Sequence, residues 1–248
     1  ATRTTGVFQA TAAFGGLIGA SSAALSNVTT SGAVSLTQTG TGVISFTRIG
    51  GVAGSQGNAV VGGVNTALTN VTSTAPVTLT RPAGVNGQVF AGGLFGESDA
   101  IISGSVAGGN VNVDADDSNL FVGGLIGEAS LGSIATSTAT GDVDVTANTA
   151  TVEAGGLIGE ALVPITDSGA DGQVTVTATD GTVRAGGLAG STARDVTDAT
   201  AAAPVTVSNT DGPGGAPATD VGGLIGIADG GAGLSASVTG SAASGLVQ

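Results

Sequence analysis

The sequence predicts an all-β chain, a parallel β-solenoid of about seven coils with roughly 31 residues per coil. Three observations predict it. A Gly-Gly-apolar-apolar-Gly word recurs along the chain, an alternating run with two apolar positions follows each word at a near-constant distance, and no single repeat carries enough apolar surface for a core of its own.

The word stands at Gly15-Gly16 (GGLIG), Gly50 (GGVAG), Gly92-Gly93 (GGLFG), Gly123-Gly124 (GGLIG), Gly155-Gly156 (GGLIG), Gly186-Gly187 (GGLAG) and Gly222-Gly223 (GGLIG). From Gly92 onward the successive spacings are 31, 32, 31 and 36 residues. The glycine pair is read as the same corner in every coil, where glycine reaches positive φ and lets backbones approach closely.

The alternating runs are Val34/Leu36, Val77/Leu79, Val111/Val113, Val143/Val145, Val174/Val176 and Val205/Val207. Strand side chains have period two, so these valines and leucines face inward. Ser35, Thr78, Asn112, Asp144, Thr175 and Thr206 face solvent. The second glycine precedes the first valine by 18 residues at Gly16, Gly93, Gly156 and Gly187, and by 19 at Gly124. A second strand enters the glycine pair, with Val89/Ala91, Val152/Ala154 and Val183/Ala185 inward, and a third lies between the words, as at Ile102 to Ala107 and Ile134 to Thr140. Three strands and three turns account for each coil.

The N-terminal part is longer. Ala24 to Thr37 matches Ala67 to Thr80 at an offset of 43, and the excess is placed near residues 39–61, where GVISFTRIGG offers an extra strand and Gly62-Gly63 a rival glycine pair. At the other end Ser241 to Ser244 (SAAS) stands where other repeats have V-x-V. The expectation is one repeat domain over 1–248, with longer acid-free repeats in 1–85 and regular acidic ones in 86–248. The competing all-β arrangement is a sandwich, with VTVTATDGTVRAGG as a hairpin turning at Asp180-Gly181.

Composition narrows function. The chain has no His, Cys, Lys, Met, Trp or Tyr, which removes most general bases, thiol nucleophiles, Schiff-base amines and soft metal ligands. An enzyme is not expected. No run of 18 apolar residues offers a membrane-spanning helix, and six Phe without Trp or Tyr argue against the aromatic girdles of a membrane barrel. From the lack of Met, Ala1 is expected to be an N-terminus left by processing. All 18 acids follow Gly96, while Arg3, Arg48 and Arg81 precede it, so a net charge of −13 divides into +3 and −16. That division disfavours nucleic acid and favours a second copy of the chain.

Gly132 to Val145 (GSIATSTATGDVDV) followed by Val152 to Gly159 (VEAGGLIG) closely resembles the GLUG-motif repeat, with looser matches at Ala100 to Val113, Gly187 to Gly190 and Gly231 to Gly240. The usual aromatic residue after the motif's Ser is missing. The resemblance implies a β-helical stalk of a secreted or cell-surface protein.

Glu97, Glu128 and Glu160 each follow a glycine word and would form a carboxylate ladder at coil spacing. With Asp114, Asp116, Asp117, Asp142 and Asp144 they are the candidate Ca²⁺ ligands, set against a solvated acidic face because no D-x-D-x-D-G loop occurs. No other cofactor is expected. Carboxylate-pair hydrolysis of sugars lacks aromatic platforms. Thr78/Thr80 and Thr175/Thr177 resemble an ice-binding face that Asn112, Asp114 and Asp144 interrupt. Asn27 and Asn70 open glycosylation sequons at matching repeat positions, and equally suit coil corners.

The leading functional expectation is a subunit of an extracellular filament or surface layer. Its solenoids stack head to tail through unpaired edges, with the Arg-bearing start against the acidic remainder. Residues 1–14, with Val7, Phe8 and Phe14, are a candidate donated strand. The alternative is a monomeric stalk or adhesive module binding a surface glycan.

Overall fold

The computed structural model describes residues 2–4, 11–39, 45–57, 66–116, 118–148, 150–210, 218–229 and 236–248. The described residues contain strands and turns and no helix. The strands form five parallel sheets of seven strands each, and the chain visits the sheets in cyclic order. One regular turn shows the pattern: Val143–Asn148 in sheet 1, Thr151–Gly155 in sheet 2, Ile158–Ala161 in sheet 3, Ile165–Thr166 in sheet 4 and Gly169–Ala170 in sheet 5. Val174–Thr179 then re-enters sheet 1 one rung further on. The path from Thr2–Thr4 to Val205–Thr210 makes six complete turns, and four further strands make most of a seventh.

Each turn therefore has five strands, not three. The run after the glycine pair, Ile158–Ala161 and its equivalents, is a strand of its own, and the segments at Ile102 to Ala107 and Ile134 to Thr140 each divide in two. The division follows from a sharp corner: Asn27, Asn70, Thr136, Asp167 and Asp198 hold φ between 47° and 55°, and Gly104 and Gly240 hold 60° and 64° at the same place in their rungs. Asn, Asp and Gly tolerate this left-handed conformation, so one left-handed residue per turn separates sheet 4 from sheet 5.

Val111, Val143 and Val174 lie one above another, paired Cα to Cα in register, and Val34, Val77 and Val205 continue the column. Leu36, Leu79, Val113, Val145 and Val176 are buried beside them, while Val34 and Val207, in the outer rungs, are half-buried. The hairpin alternative is excluded, because Val174–Thr179 and Thr182–Gly186 pair with different sheets and Asp180-Gly181 bends the chain between them. Apolar residues pack into two compartments. Sheets 1 and 2 enclose one, with Val143, Val145, Val152 and Ala154, and sheets 3 to 5 enclose the other, with Leu157, Ile158, Ile165 and Ala170. Fully burying such a side chain contributes about 1.5–3 kcal/mol, so the stacked columns are the main source of stability.

The glycine words mark the boundary between the compartments, for one of the two reasons expected. None of the paired glycines has positive φ. Close approach is the whole cause: a Cβ on Gly124 would sit 2.1 Å from the Gly156 carbonyl oxygen and 2.9 Å from the Ala139 Cβ. The third glycine of the word serves the same end, since a Cβ on Gly127 would meet backbone atoms of Gly96, Ala91 and Phe121 within 2.7 Å. Sheets 2 and 3 thus run back to back without side chains between them there.

The N-terminal excess falls in two places that overlap the expected stretch near 39–61, although GVISFTRIGG is no extra strand. Phe46–Gly50 is the regular sheet 2 rung, in register with Thr11–Gly15, and Gly50 occupies the glycine position. From Thr39 to Phe46 the chain advances seven residues where it advances three from Asn148 to Thr151, and the offset between rungs then rises from 35 at Ser21↔Gln56 to 43 at Leu25↔Leu68, so four extra residues enter before Phe46 and eight between Gln56 and Ala67. Gly62-Gly63 lie outside the described residues. The C-terminal repeat also keeps its pattern: Ala242–Ala243 is a sheet 5 strand, and the valine position is reached at Val247, which bridges Val205.

Candidate functional site

Sheets 2 and 3 diverge from the glycine corner and turn a pair of side-chain columns towards each other. In sheet 2 the position two residues before the glycine pair is Arg48, Phe90, Phe121, Glu153, Arg184 and Asp220 on successive rungs. In sheet 3 the position five residues after the first glycine is Ser55, Glu97, Glu128, Glu160 and Ser191. The expected carboxylate ladder exists, and it faces inward onto the sheet 2 column.

This setting makes the ladder a network of pairs. Arg48 binds Glu97 and lies 5.1 Å and 5.4 Å from the ring centroids of Phe46 and Phe90, a cation–π arrangement. Phe90 stacks on Phe121 at 5.1 Å. Arg184 Nη1 donates to Glu153 Oε1 at 2.6 Å, and Ser191 Oγ donates to the other Glu153 oxygen. Ser130 Oγ donates to Glu128 Oε1 at 2.6 Å. Burial raises the Glu128 carboxyl above the ordinary value, and burial with the nearby Glu153 and Glu128 charges pushes Glu160 up to about 7. Burial likewise raises Asp99, against the opposing pull of Arg48. Glu153, Arg184 and Ser191 carry no signal of their own in the sequence, and Arg48 reads there only as part of the positive start, although aligning the glycine words puts all four in two fixed columns.

The candidate calcium ligands do not converge. Glu97, Glu128 and Glu160 stand in sheet 3, whereas Asp114 and Asp144 stand on the outer face of sheet 1. Asp116 accepts a bond from Asn148 at 2.7 Å, Asp142 accepts one from the Gln173 backbone at 3.0 Å, and Asp117 lies outside the described residues. Among the described residues no group of three or more carboxylates is placed to hold a metal ion. On the outer face of sheet 1, Thr78, Thr80, Asn112, Asp114, Asp144 and Thr146 line a shallow hollow of about 130 Å³, well below the ~300 Å³ at which small-molecule sites begin. The acidic middle rungs interrupt the threonine columns there.

Asn27 and Asn70 are exposed corner residues, and Asn70 Nδ2 donates to Asn27 Oδ1 at 3.2 Å. The corner accounts for both. Arg81 is 1% exposed inside the first compartment, donating to Gln38 Oε1 at 2.6 Å and Thr47 Oγ1 at 2.8 Å, and burial lowers its pKa to about 10. Arg48 and Arg81 are thus engaged within the chain, which withdraws two of the three positive charges from any contact between copies.

The two end faces are the remaining candidate surfaces. Among the described residues the outermost strand of each sheet has a strand neighbour on one side only, the last strand of sheet 1 being bridged in part on its other side by Val247. Half-buried apolar residues continue the core to both faces: Phe14, Ile18, Leu25, Val28 and Val34 at the first, and Val207, Val221, Leu224 and Ile225 at the last. Val238 and Val247 are 47% and 42% exposed. Thr2–Thr4 and Thr11–Gly15 pair within their own chain, and Val7 and Phe8 lie outside the described residues.

Stacked rungs, shared compartments and side-chain ladders define a parallel β-solenoid repeat protein. Residues 119–146, one turn from sheet 2 round to sheet 1, match the GLUG motif, so the resemblance read from the sequence holds there. No curated protein and no solved structure matches the chain. Among the described residues no helix is long and apolar enough to cross a membrane.

Proposed function

We propose that the chain is a non-catalytic structural subunit of an extracellular filament or surface layer, assembled by head-to-tail stacking of solenoids. The GLUG-bearing solenoid fits a structural or surface module. The observation that carries the finer reading is the pair of end faces of the described stack, where the outermost strands keep open edges, apart from the Val247 bridge, around half-buried apolar core. An unpaired edge is a template for another strand, and a contact between unlike ends propagates as an open polymer. Apolar columns that run out at both faces make the contact one of core burial. The electrostatic selection expected from the sequence contributes little, since Arg48 and Arg81 are engaged internally.

Sedimentation velocity over a concentration series, with negative-stain images of the same samples, tests this. Concentration-dependent polymers of one solenoid's width are expected. A single discrete particle at every concentration, binding a surface glycan, would favour the monomeric adhesive module instead.

A further inference from the structure

The corner between Arg81 and Gln88 is longer than the one on the next rung. Arg81 pairs with Ala115 and Gln88 with Asn119, so the chain advances seven residues here where four suffice there. Pro82, which has no N–H to give to a ladder, follows the end of the sheet 1 strand Val77–Arg81. Val85 is 2% exposed and anchors the loop in the core, while Asn86 beside it is exposed. Gly87 opens the sheet 2 strand Gly87–Gly92 with φ of 148°, a conformation that residues with a side chain rarely adopt. An asparagine therefore stands at an exposed corner directly before a position where the backbone calls for glycine.

That juxtaposition is reactive. A backbone nitrogen can attack the side-chain carbonyl carbon of a preceding asparagine and close a five-membered ring, and the side chain on the attacking residue governs access to it. Asn86-Gly87 is the only Asn-Gly pair in the chain, and every other Asn precedes Ala, Val, Leu or Thr. The β-branched followers crowd their own nitrogen. Several are also fixed by packing: Val71 after Asn70 and Val113 after Asn112 are buried in the core, which holds the backbone away from the ring geometry. At Asn86 no side chain shields the nitrogen, water has access, and the three extra residues of the corner let the backbone swing while Arg81 and Gln88 stay paired.

We propose that Asn86 is a site of self-modification, converting in the folded protein to aspartate and isoaspartate with release of ammonia. The Gly87 nitrogen bonds to Asn86 Cγ, the Cγ–Nδ2 bond breaks, and Nδ2 leaves as ammonia carrying the proton of the Gly87 amide. Water then opens the ring. Addition at Cγ restores the main chain and leaves aspartate; addition at the main-chain carbonyl carbon of residue 86 leaves isoaspartate, in which the chain runs through Cγ. Either product places a carboxylate within residues 1–96, which hold no Asp or Glu. Isoaspartate also adds one backbone atom between the Val85 anchor and the first sheet 2 pair, Gly87↔Ser118. The acidic form accumulates with the age of the molecule, so its fraction records time since folding.

Peptide mass spectrometry on folded protein held in mildly alkaline buffer at body temperature tests the site, with a urea-unfolded sample alongside. In the folded sample the Asn86 peptide is expected to gain about one mass unit and to split into two isomers, one of them a substrate for isoaspartyl methyltransferase. Peptides carrying the other Asn are expected to stay unchanged over the same interval. Asn86→Ser protein should lose both signals, which separates this site from Asp-Gly pairs such as Asp171-Gly172 and Asp180-Gly181. Conversion at Asn86 in urea but not in the folded protein overturns the proposal, because the fold then blocks the ring. An Asn86 peptide unchanged in both samples overturns it too, as does conversion at Asn27, Asn70 or Asn112 ahead of Asn86.

Discussion

Gly124→Ala probes the reason for the glycine words. The added methyl would stand 2.1 Å from the Gly156 carbonyl oxygen and 2.9 Å from the Ala139 Cβ, where ordinary contact begins near 3.4 Å. The oxygen is backbone, so no rotamer change relieves the clash and neighbouring rungs have to part by about an ångström. Overpacking of that kind costs about 1–3 kcal/mol. Parting also lengthens the Gly124 amide bond to the Gly155 carbonyl and the Gly93 amide bond to the Gly124 carbonyl, now 3.2 and 3.1 Å. At about 0.5–1.5 kcal/mol for each bond, the expected destabilisation is about 2–6 kcal/mol. Gly32→Ala is the matched control, because no heavy atom lies within 4 Å of its added Cβ and its φ is not positive; it should change stability by less than about 0.5 kcal/mol. Urea unfolding followed by far-UV circular dichroism measures both. Equal midpoints for Gly124→Ala and Gly32→Ala would refute close backbone approach as the role of the word.

Stability should fall as pH rises from about 4.5 towards about 7. The folded chain holds protons on Glu160, Glu128 and Asp99 that the unfolded chain has released, so it binds more protons in that window. Glu160→Gln should shrink the difference in Tm between about pH 5 and about pH 8, and an unchanged difference would contradict the burial of that carboxyl. Thr136 holds φ of 47° with a β-branched side chain, so Thr136→Asn, which tolerates the corner and keeps an acceptor for the Gly104 amide, should raise stability by about 0.5–1 kcal/mol in the same urea assay. Arg81→Leu leaves Gln38 and Thr47 buried without its guanidinium and should cost about 2–4 kcal/mol, most of which returns when Gln38→Leu and Thr47→Val are added. Failure of that rescue would show that the arginine acts through other contacts.

Much of this architecture was legible because repetition converts spacing into register. Val111, Val143 and Val174 follow their glycine pairs by 18 or 19 residues, which fixes them in one column before any coordinate is known. The strand count was not legible, since two-residue strands such as Ile165–Thr166 and Gly169–Ala170 are too short to show a period, and the corner between them is held by Asn, Gly, Thr or Asp. Gly50 and Gly62-Gly63 looked alike, and only pairing distinguishes them. Ser241 to Ser244 hides the last valine position because it belongs to the sheet 5 strand, whereas Ser244-Gly245-Leu246-Val247 repeats Ser31-Gly32-Ala33-Val34. The partners of the carboxylate ladder come from the sheet folded behind it. Arg48 is 49 residues from Glu97 in sequence, a separation that no motif reports.

Distances between spin labels along one outward column test the solenoid most directly. Asn112, Thr78 and Ser35 stand three, four and five rungs from Thr206. Pulsed dipolar spectroscopy on cysteine pairs with Thr206, in protein diluted with unlabelled chain, should give backbone separations of about 14, 19 and 24 Å, rising by about 4.8 Å per rung once label length is allowed for. Separations that do not rise evenly in that order would contradict a stack of equivalent rungs.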